Sequence, residues 1–359
     1  MKYEKKDLSL KSAIEKEWII TNGLGGYSSS TICGANTRKY HGLLIAPLTP
    51  PGRRFLILSK LDESIEINQK KYNLYTNICK NYISEGYQYL ESFEKDFLPI
   101  FTYKIEDITI KKIICMEEQK NSVCIHYKIN SPKNNIKLTL APVMNFRDFH
   151  TMNTNHEFNL KQEKKDRKVK IIIDGNSETP IYTYVSEGNY IEHIQDAFRN
   201  MYYIEEEKRG FFPEENHCVP GRYEIEIEAG KEKEITFICS LEENIEEIQA
   251  KEVINHELKR LNKLIQKTDL LETARNKLPE QFIKDFVIAT DNFVVYRPSF
   301  RLHTLIAGYP WFLDWGRDAL ISMEGLLLVT KRFDIAKEVL QTMTRDVKFG
   351  LVPNRLFWI

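Results

Sequence analysis

Hydrophobic and polar residues follow two different rhythms along this chain. From about residue 17 to residue 240 the apolar positions mostly alternate with polar ones. Tyr223, Ile225 and Ile227 are interleaved with Glu224, Glu226 and Glu228; after the turn Ala229-Gly230-Lys231 the alternation resumes at Ile235, Phe237 and Cys239. Val123, Ile125, Tyr127 and Ile129 repeat the pattern, as do Ile136, Leu138 and Leu140, and Val169, Ile171 and Ile173. A period of two places alternate side chains on one face, so each run predicts a half-exposed strand. Short strands separated by Asn, Gly and Lys turns, with few helices between them, predict antiparallel sheets packed as a sandwich.

The period lengthens beyond about residue 245. Ile254, Leu258, Leu261 and Ile265 recur at helical spacing, then Phe282, Phe286, Ala289, Phe293 and Tyr296, then Phe333, Ala336, Leu340, Met343 and Val347. Pro279 with Glu280 beside it marks a helix start. Gly350 reads as the C-cap of the last helix, and Pro353 prevents its resumption. The Lys- and Glu-rich stretch 245–275 reads as a helical linker. The expected organisation is a β domain over 1–244, the linker over 245–275, and a helical region over 276–359.

Composition narrows the function classes. Lys plus Arg number 51 against 51 Asp plus Glu, a formal charge of zero. A nucleic-acid or anionic-membrane binder carries a basic excess, so neither partner is expected. The N-terminus lacks the apolar run of a secretory signal, and nowhere do 18 consecutive apolar residues occur. Cys33, Cys79, Cys115, Cys124, Cys218 and Cys239 are scattered, with no CxxC pair. They read as free, buried thiols in a reducing cytoplasm rather than as disulfides or a zinc site. No His, Asp and Glu cluster has metal spacing, so neither metal nor cofactor is expected.

Three segments concentrate chemistry. In Asn22-Gly23-Leu24-Gly25-Gly26-Tyr27 the GxG lacks its third glycine, replaced by Ser28, and no amphipathic helix follows. Tight turns explain these glycines better than a nucleotide. Arg38, Tyr40 and His41 have no paired carboxylate or nucleophile nearby, and a structural, hydrogen-bonded histidine is the favoured reading; the stretch 145–150, with Arg147 and Asp148 adjacent and His150 at its end, reads as a turn held by side-chain hydrogen bonds. The third segment is Ala307-Gly308-Tyr309-Pro310-Trp311-Phe312-Leu313-Asp314-Trp315-Gly316-Arg317-Asp318. Indole faces suit the C–H face of a sugar ring, and Asp and Arg suit its hydroxyl rim. A glycosidase also needs two carboxylates flanking the scissile bond. Glu324 shares a face with Leu320 and Leu327 and is expected to be buried; Glu338 and Asp346 are expected to be solvated. None of these forms an evident pair.

Taken in order, the motifs resemble the bacterial and archaeal type of glycogen debranching enzyme, the amylo-α-1,6-glucosidase family. The resemblance runs through Glu17-Trp18, Asn22 to Tyr27, Gly34-Ala35-Asn36-Thr37-Arg38-Lys39-Tyr40-His41-Gly42-Leu43-Leu44, Leu58-Ser59-Lys60-Leu61-Asp62-Glu63, Asn145 to His150, Pro220-Gly221, Ile306 to Asp318 and Gly350 to Arg355. It implies a β-supersandwich, a helical linker and an (α/α)6 barrel, of which this chain would hold the opening. It implies a glycogen or related α-glucan substrate, with Arg317 and Asp318 binding glucose hydroxyls, Trp311 and Trp315 lining the pocket, and Asp314 supporting it. The implied reaction is hydrolysis of α-1,6-linked glucosyl stubs with release of glucose.

Lys331 stands where the family commonly has glycine. A six-hairpin barrel needs over ~200 residues, whereas 276–359 supplies 84. The acid and base are therefore expected beyond residue 359, and the apolar ending Leu356-Phe357-Trp358-Ile359 is expected to mark a truncated barrel. Two alternatives remain open: a non-catalytic glycan-binding module, and a glucoamylase- or maltose-phosphorylase-like enzyme of the same architecture.

Overall fold

The computed structural model describes residues 1–193 and 197–354. Arg355, Trp358 and the apolar ending at 356–359 lie outside the described residues. The chain forms two compact units. One takes residues 1–20, 27–46 and 55–253; the other takes 21–26, 47–54 and 254–359.

Two antiparallel sheets make up the first unit. One has nine strands, running in space from Lys2–Glu4 through Leu90–Lys95, Pro99–Ile105, Ile108–Met116, Ser122–Ser131, Lys231–Ser240, Ile181–Val185 and Lys168–Ile173 to Leu160–Lys165. The other has twelve and is built around the long strands Gly52–Ile67 and Ile136–Asp148, paired from Ile67 opposite Ile136 to Phe55 opposite Asp148. Their inner faces share one core, to which Ile125, Ile171 and Phe237 contribute from one sheet and Ile65, Leu138 and Ile225 from the other. Tyr223 and Phe237 meet edge to face across it, 5.9 Å between ring centroids, and the Tyr223 hydroxyl lies 2.7 Å from Thr183 Oγ1. The sandwich inferred from the period-two runs is thus present.

The expectation of half-exposed strands fails at the centre of the nine-stranded sheet. Cys124 and His126 on the strand Ser122–Ser131 are buried along with their apolar neighbours. The reason is a second layer: Cys124, Tyr182, Ile238, Ile245 and Ala250 form a separate cluster on the outer face, covered by the start of the helix Ala250–Lys267. All six cysteines are free thiols, and only Cys79 is not fully buried.

Several buried charged groups of the sandwich are paired. Lys112 bonds Glu63, which also accepts from the Tyr127 hydroxyl at 2.7 Å. Arg147 is bidentate on Glu215, whose Oε2 accepts from the Tyr203 hydroxyl at 2.5 Å. His217 sits against this group, with Nε2 3.2 Å from that hydroxyl. His41 and Arg38 converge on Glu17 (Arg38 Nε to Oε1, 2.8 Å), and His41 Nδ1 accepts from the Thr37 amide at 3.1 Å. Against the opposing effect of burial, these two neighbours pull the Glu17 carboxyl down to about 2. The structural reading of His41 therefore holds.

Three local expectations for the helical part are corrected. The stripe from Phe282 to Tyr296 is not one helix: the helix Glu280–Asp291 ends there, and Val294–Arg297 pairs with Leu302–Leu305 as a hairpin. The helix buries Ile283, Val287 and Ile288, leaving Phe282 and Phe286 exposed, because its apolar residues cover more than one face. The last helix, Phe333–Thr344, ends at a C-cap on Arg345, so Gly350 is not its cap; Gly350 has φ +77° in a turn closed by Lys348 and Leu351. Lys331 has φ +58°, a left-handed conformation that favours glycine.

The buried His217 makes stability pH-dependent. Burial holds its imidazole neutral and lowers its pKa from 6.5 to about 4, although Glu215 opposes the shift. Its contribution is complete above pH 6.5 and is lost as pH falls through about 4, a change of up to about 3 kcal/mol. Urea denaturation at pH 7.5 and pH 4.5 should show His217→Gln losing less stability on acidification than wild type.

Candidate active-site loop

The residues singled out for sugar chemistry lie in the second unit, on the loop joining the strand Leu302–Leu305 to the helix Gly316–Met323. Backbone bonds close the loop on itself. Ile306 bridges Asp314, the Ala307 amide donates to Leu313 O at 2.8 Å, and the Phe312 amide donates to Gly308 O at 2.8 Å.

Asp314 is 2% exposed and faces Arg297, itself 1% exposed, with Nη1 2.6 Å from Oδ2. Burial raises the Asp314 carboxyl pKa, and Arg297 opposes the rise. Stripping water from both charges is costly, so the pair holds only while each group has the other. Asp314 is thereby a structural anchor that fixes the C-terminal end of the loop.

Arg54, from the segment 47–54, anchors the other end. Its buried guanidinium donates through Nη1 to Pro310 O at 3.0 Å and Phe312 O at 3.3 Å, and lies 4.7 Å from the Tyr309 ring centroid. The segment 21–26 belongs to the same unit. Asn22 Oδ1 accepts from the Leu24 and Gly26 amides at 3.0 and 2.9 Å, and Gly23 O accepts from the Tyr296 amide at 2.8 Å. A Cβ on Gly25, where φ is +92°, would lie 2.6 Å from Pro51 O. Of the two glycines that mimic a dinucleotide motif, Gly25 is thus required by close backbone approach, and Gly23 is favoured by its left-handed φ of +71°.

Between these anchors the aromatic groups reach the surface. Trp311 and Phe312 are exposed, Trp315 is half-buried, and the Phe312 and Trp315 rings meet edge to face at 6.4 Å. Trp315 is the N-cap of the helix Gly316–Met323, and Arg317 and Asp318 occupy its first turn, both exposed. Asn354 completes the helix start: its carbonyl accepts from the Gly316 amide and its Oδ1 from the Arg317 amide, each at 2.9 Å. A Cβ on Gly316 would lie 2.4 Å from Pro353 O, so only glycine permits this approach.

All five proposed sugar-contacting residues therefore lie on one loop and its helix start, but they divide in role: Trp311, Trp315, Arg317 and Asp318 are accessible, and Asp314 is not. Of the other carboxylates, Glu324 and Glu338 depart from expectation. Glu324 is exposed, because the chain coils more widely over Glu324–Leu328, where Leu327 takes the buried position. Glu338 is not simply solvated: it accepts from His303 Nδ1 at 2.6 Å and from the His303 amide at 3.1 Å. Asp346 is exposed. Among the described residues no three His, Cys, Asp or Glu side chains are grouped to hold a metal. Sequence reasoning missed Arg54 and Arg297, which carry no local signature and act through distant partners.

Comparison with known proteins identifies the lineage. The family model described as glycogen debranching enzyme N terminal matches residues 16–234, and the one described as amylo-alpha-1,6-glucosidase matches 288–357. The chain belongs to the glycogen debranching enzyme family. A stretch of 64 residues is 41% identical to the glycogen debranching enzyme of Saccharomyces cerevisiae, covering 16% of this chain and 4% of that protein. Among solved structures, a bacterial glucoamylase complexed with acarbose matches at TM-score 0.50 and 12% identity, over 95% of this chain and 50% of that one. A putative kojibiose phosphorylase from the human microbiome matches at TM-score 0.39 and 11% identity, over 81% of this chain and 36% of that one. The chain thus spans half or less of the length of these relatives. Among the described residues no helix is long and apolar enough to cross a membrane.

Breaking the buried pair tests its role. Arg297→Met strands a buried carboxylate and should destabilise the second unit by about 3–5 kcal/mol. Combining it with Asp314→Leu should cost clearly less than the sum of the two single changes in urea denaturation.

Proposed function

We propose that this chain recognises the terminal glucose of an α-glucan through the loop 307–318, as part of an amylo-α-1,6-glucosidase acting on single-glucose branch stubs. Trp315 and Trp311 present ring faces to the sugar's C–H surface, and Arg317 and Asp318 exchange hydrogen bonds with its hydroxyls. The observation that carries this reading is the pinned loop itself. Two buried arginines and a buried aspartate, rigid and inaccessible, hold two tryptophans, an arginine and an aspartate at the surface. Binding by a preformed loop avoids the entropy of ordering it.

Hydrolysis of the stub calls for a carboxylic acid to protonate the glycosidic oxygen and a carboxylate to activate water on the opposite face, the inverting arrangement. Neither role is assigned here: Asp314 is bound to Arg297 and Glu338 to His303. We place the acid and base outside these 359 residues, in an (α/α)6 barrel of which 276–359 is the opening, with 1–244 as the sandwich and 245–275 as the linker. The cytoplasm, where glycogen is stored, is the compartment that suits this reading. The exposed Phe282, Phe286, Phe333 and Leu340 support it, since apolar helix faces call for further helices to cover them.

The test uses phosphorylase-limit dextrin. The 359-residue chain should bind it without releasing glucose, and Trp315→Ala or Asp318→Ala should weaken binding by about tenfold. Glucose release by this chain would refute the placement of the acid and base. Binding unchanged by both substitutions would refute the loop as the recognition element and favour a glycan-binding module on the sandwich.

A further inference from the structure

Two segments rich in polar and aromatic residues, 37–41 and 145–150, take no part in the loop around Trp315. In the sandwich they meet. Arg147, clamped on Glu215, donates from Nη2 to Lys39 O at 2.7 Å and from Nη1 to Phe149 O at 3.3 Å. This pins both backbones, and Tyr40 and His150 come together, with the hydroxyl 3.2 Å from Nδ1 and the rings edge to face. Lys39 Nζ donates to His150 O.

A third segment completes the patch. The short helix Ile204–Lys208 is tied to the first segment by the Glu205 amide donating to Thr37 O at 3.0 Å. Glu206, fully buried, holds Arg209 Nη1 at 3.2 Å, and its carbonyl accepts from the Phe211 amide at 3.0 Å. Arg209 and Lys39 then lie 5.2 and 5.7 Å from the Phe211 ring centroid. Phe211 is 55% exposed and Phe212 beside it 59%.

This arrangement is unusual for an ordinary surface turn. Full burial of a phenylalanine is worth about 2 kcal/mol, yet two adjacent phenyl rings stand in water. Meanwhile two buried carboxylates, Glu206 and Glu215, hold the cations that fix the chain around them. The phenyl surface of Phe211 and Phe212 that the two cations leave uncovered matches the C–H surface of a pyranose, and Lys39, Arg209 and His150 carry donor groups for its hydroxyl rim. Glu206 balances Arg209 and Glu215 balances Arg147, which leaves Lys39 as the one uncompensated cation among these groups, fewer than a phosphate cradle gathers. That favours a neutral polyol over a phosphate.

We propose that Phe211 and Phe212, flanked by Lys39, Arg209 and His150, form a second α-glucan-binding surface, which holds an outer chain of a branched polymer on the sandwich. The proposal rests on the glucan reading above, and the experiment separates the two. The 359-residue protein is run in native affinity gels containing glycogen, alongside the F211A/F212A double variant and Trp315→Ala. Both phenylalanines are exposed, so matched thermal melts should show the double variant folded. F211A/F212A should raise the apparent dissociation constant for glycogen by about fivefold or more, while Trp315→Ala weakens binding without abolishing it, the remainder being held by the patch. Wild-type affinity in F211A/F212A would overturn the second surface. If Trp315→Ala alone then lost binding, the glucan reading would stand without it. Failure of the wild-type protein itself to bind glycogen would overturn both. Loss of a dimer in F211A/F212A with glycogen affinity unchanged would also overturn the proposal, assigning the patch to self-association.

Discussion

The ion pair between Arg297 and Asp314 is the contact on which the candidate site depends. Both groups are out of water and 2.6 Å apart, so neither tolerates loss of the other. The pair joins the hairpin strand Val294–Arg297 to the residue immediately before Trp315. Arg54 makes the matching attachment at Pro310 and Phe312. A loop with two tryptophans, a phenylalanine and a proline would otherwise gain by collapsing onto itself. Fixed at both ends, it displays its aromatic faces.

The same division of labour appears in the sandwich. Arg147 and Glu215 are buried and act on the backbone of Lys39 and Phe149, while the more accessible groups are the Lys39 side chain and His150, which follows Phe149. In both units a buried charge pair that gains little net stability defines a surface. The sequence motifs mix the two kinds of residue, so a residue's place in a motif does not reveal whether its side chain is accessible or supports one that is. Asp314 and Asp318, four positions apart, are the clearest case.

The strands were legible because a period of two reports a face directly, as at Tyr223, Ile225 and Ile227, all of which enter the core. Legibility failed where a second layer covers the outer face, as at Cys124 and His126, since burial on both sides erases the polar half of the pattern. In the helical unit the spacing located the helix Glu280–Asp291 but misjudged its face, because Phe282 and Phe286 compete with Ile283 and Val287 for the inside. The loop 307–318 was visible as a cluster of aromatic and charged residues. Its supports were not: Arg54 lies some 256 positions from Pro310, and no local spacing encodes such a contact. Asn354 capping Gly316 and Arg317 was hidden for the same reason.

The central claim is that the segment 307–318 is a preformed glucan-recognition loop. Amide hydrogen exchange with and without saturating maltoheptaose measures this at the segment itself. The account predicts slow exchange at the Ala307 and Phe312 amides in the free protein, where the loop's own hydrogen bonds hold them, and further slowing around Trp315 to Asp318 when the sugar binds. Fast exchange across the free loop, or no change around Trp315 at saturation, would contradict it.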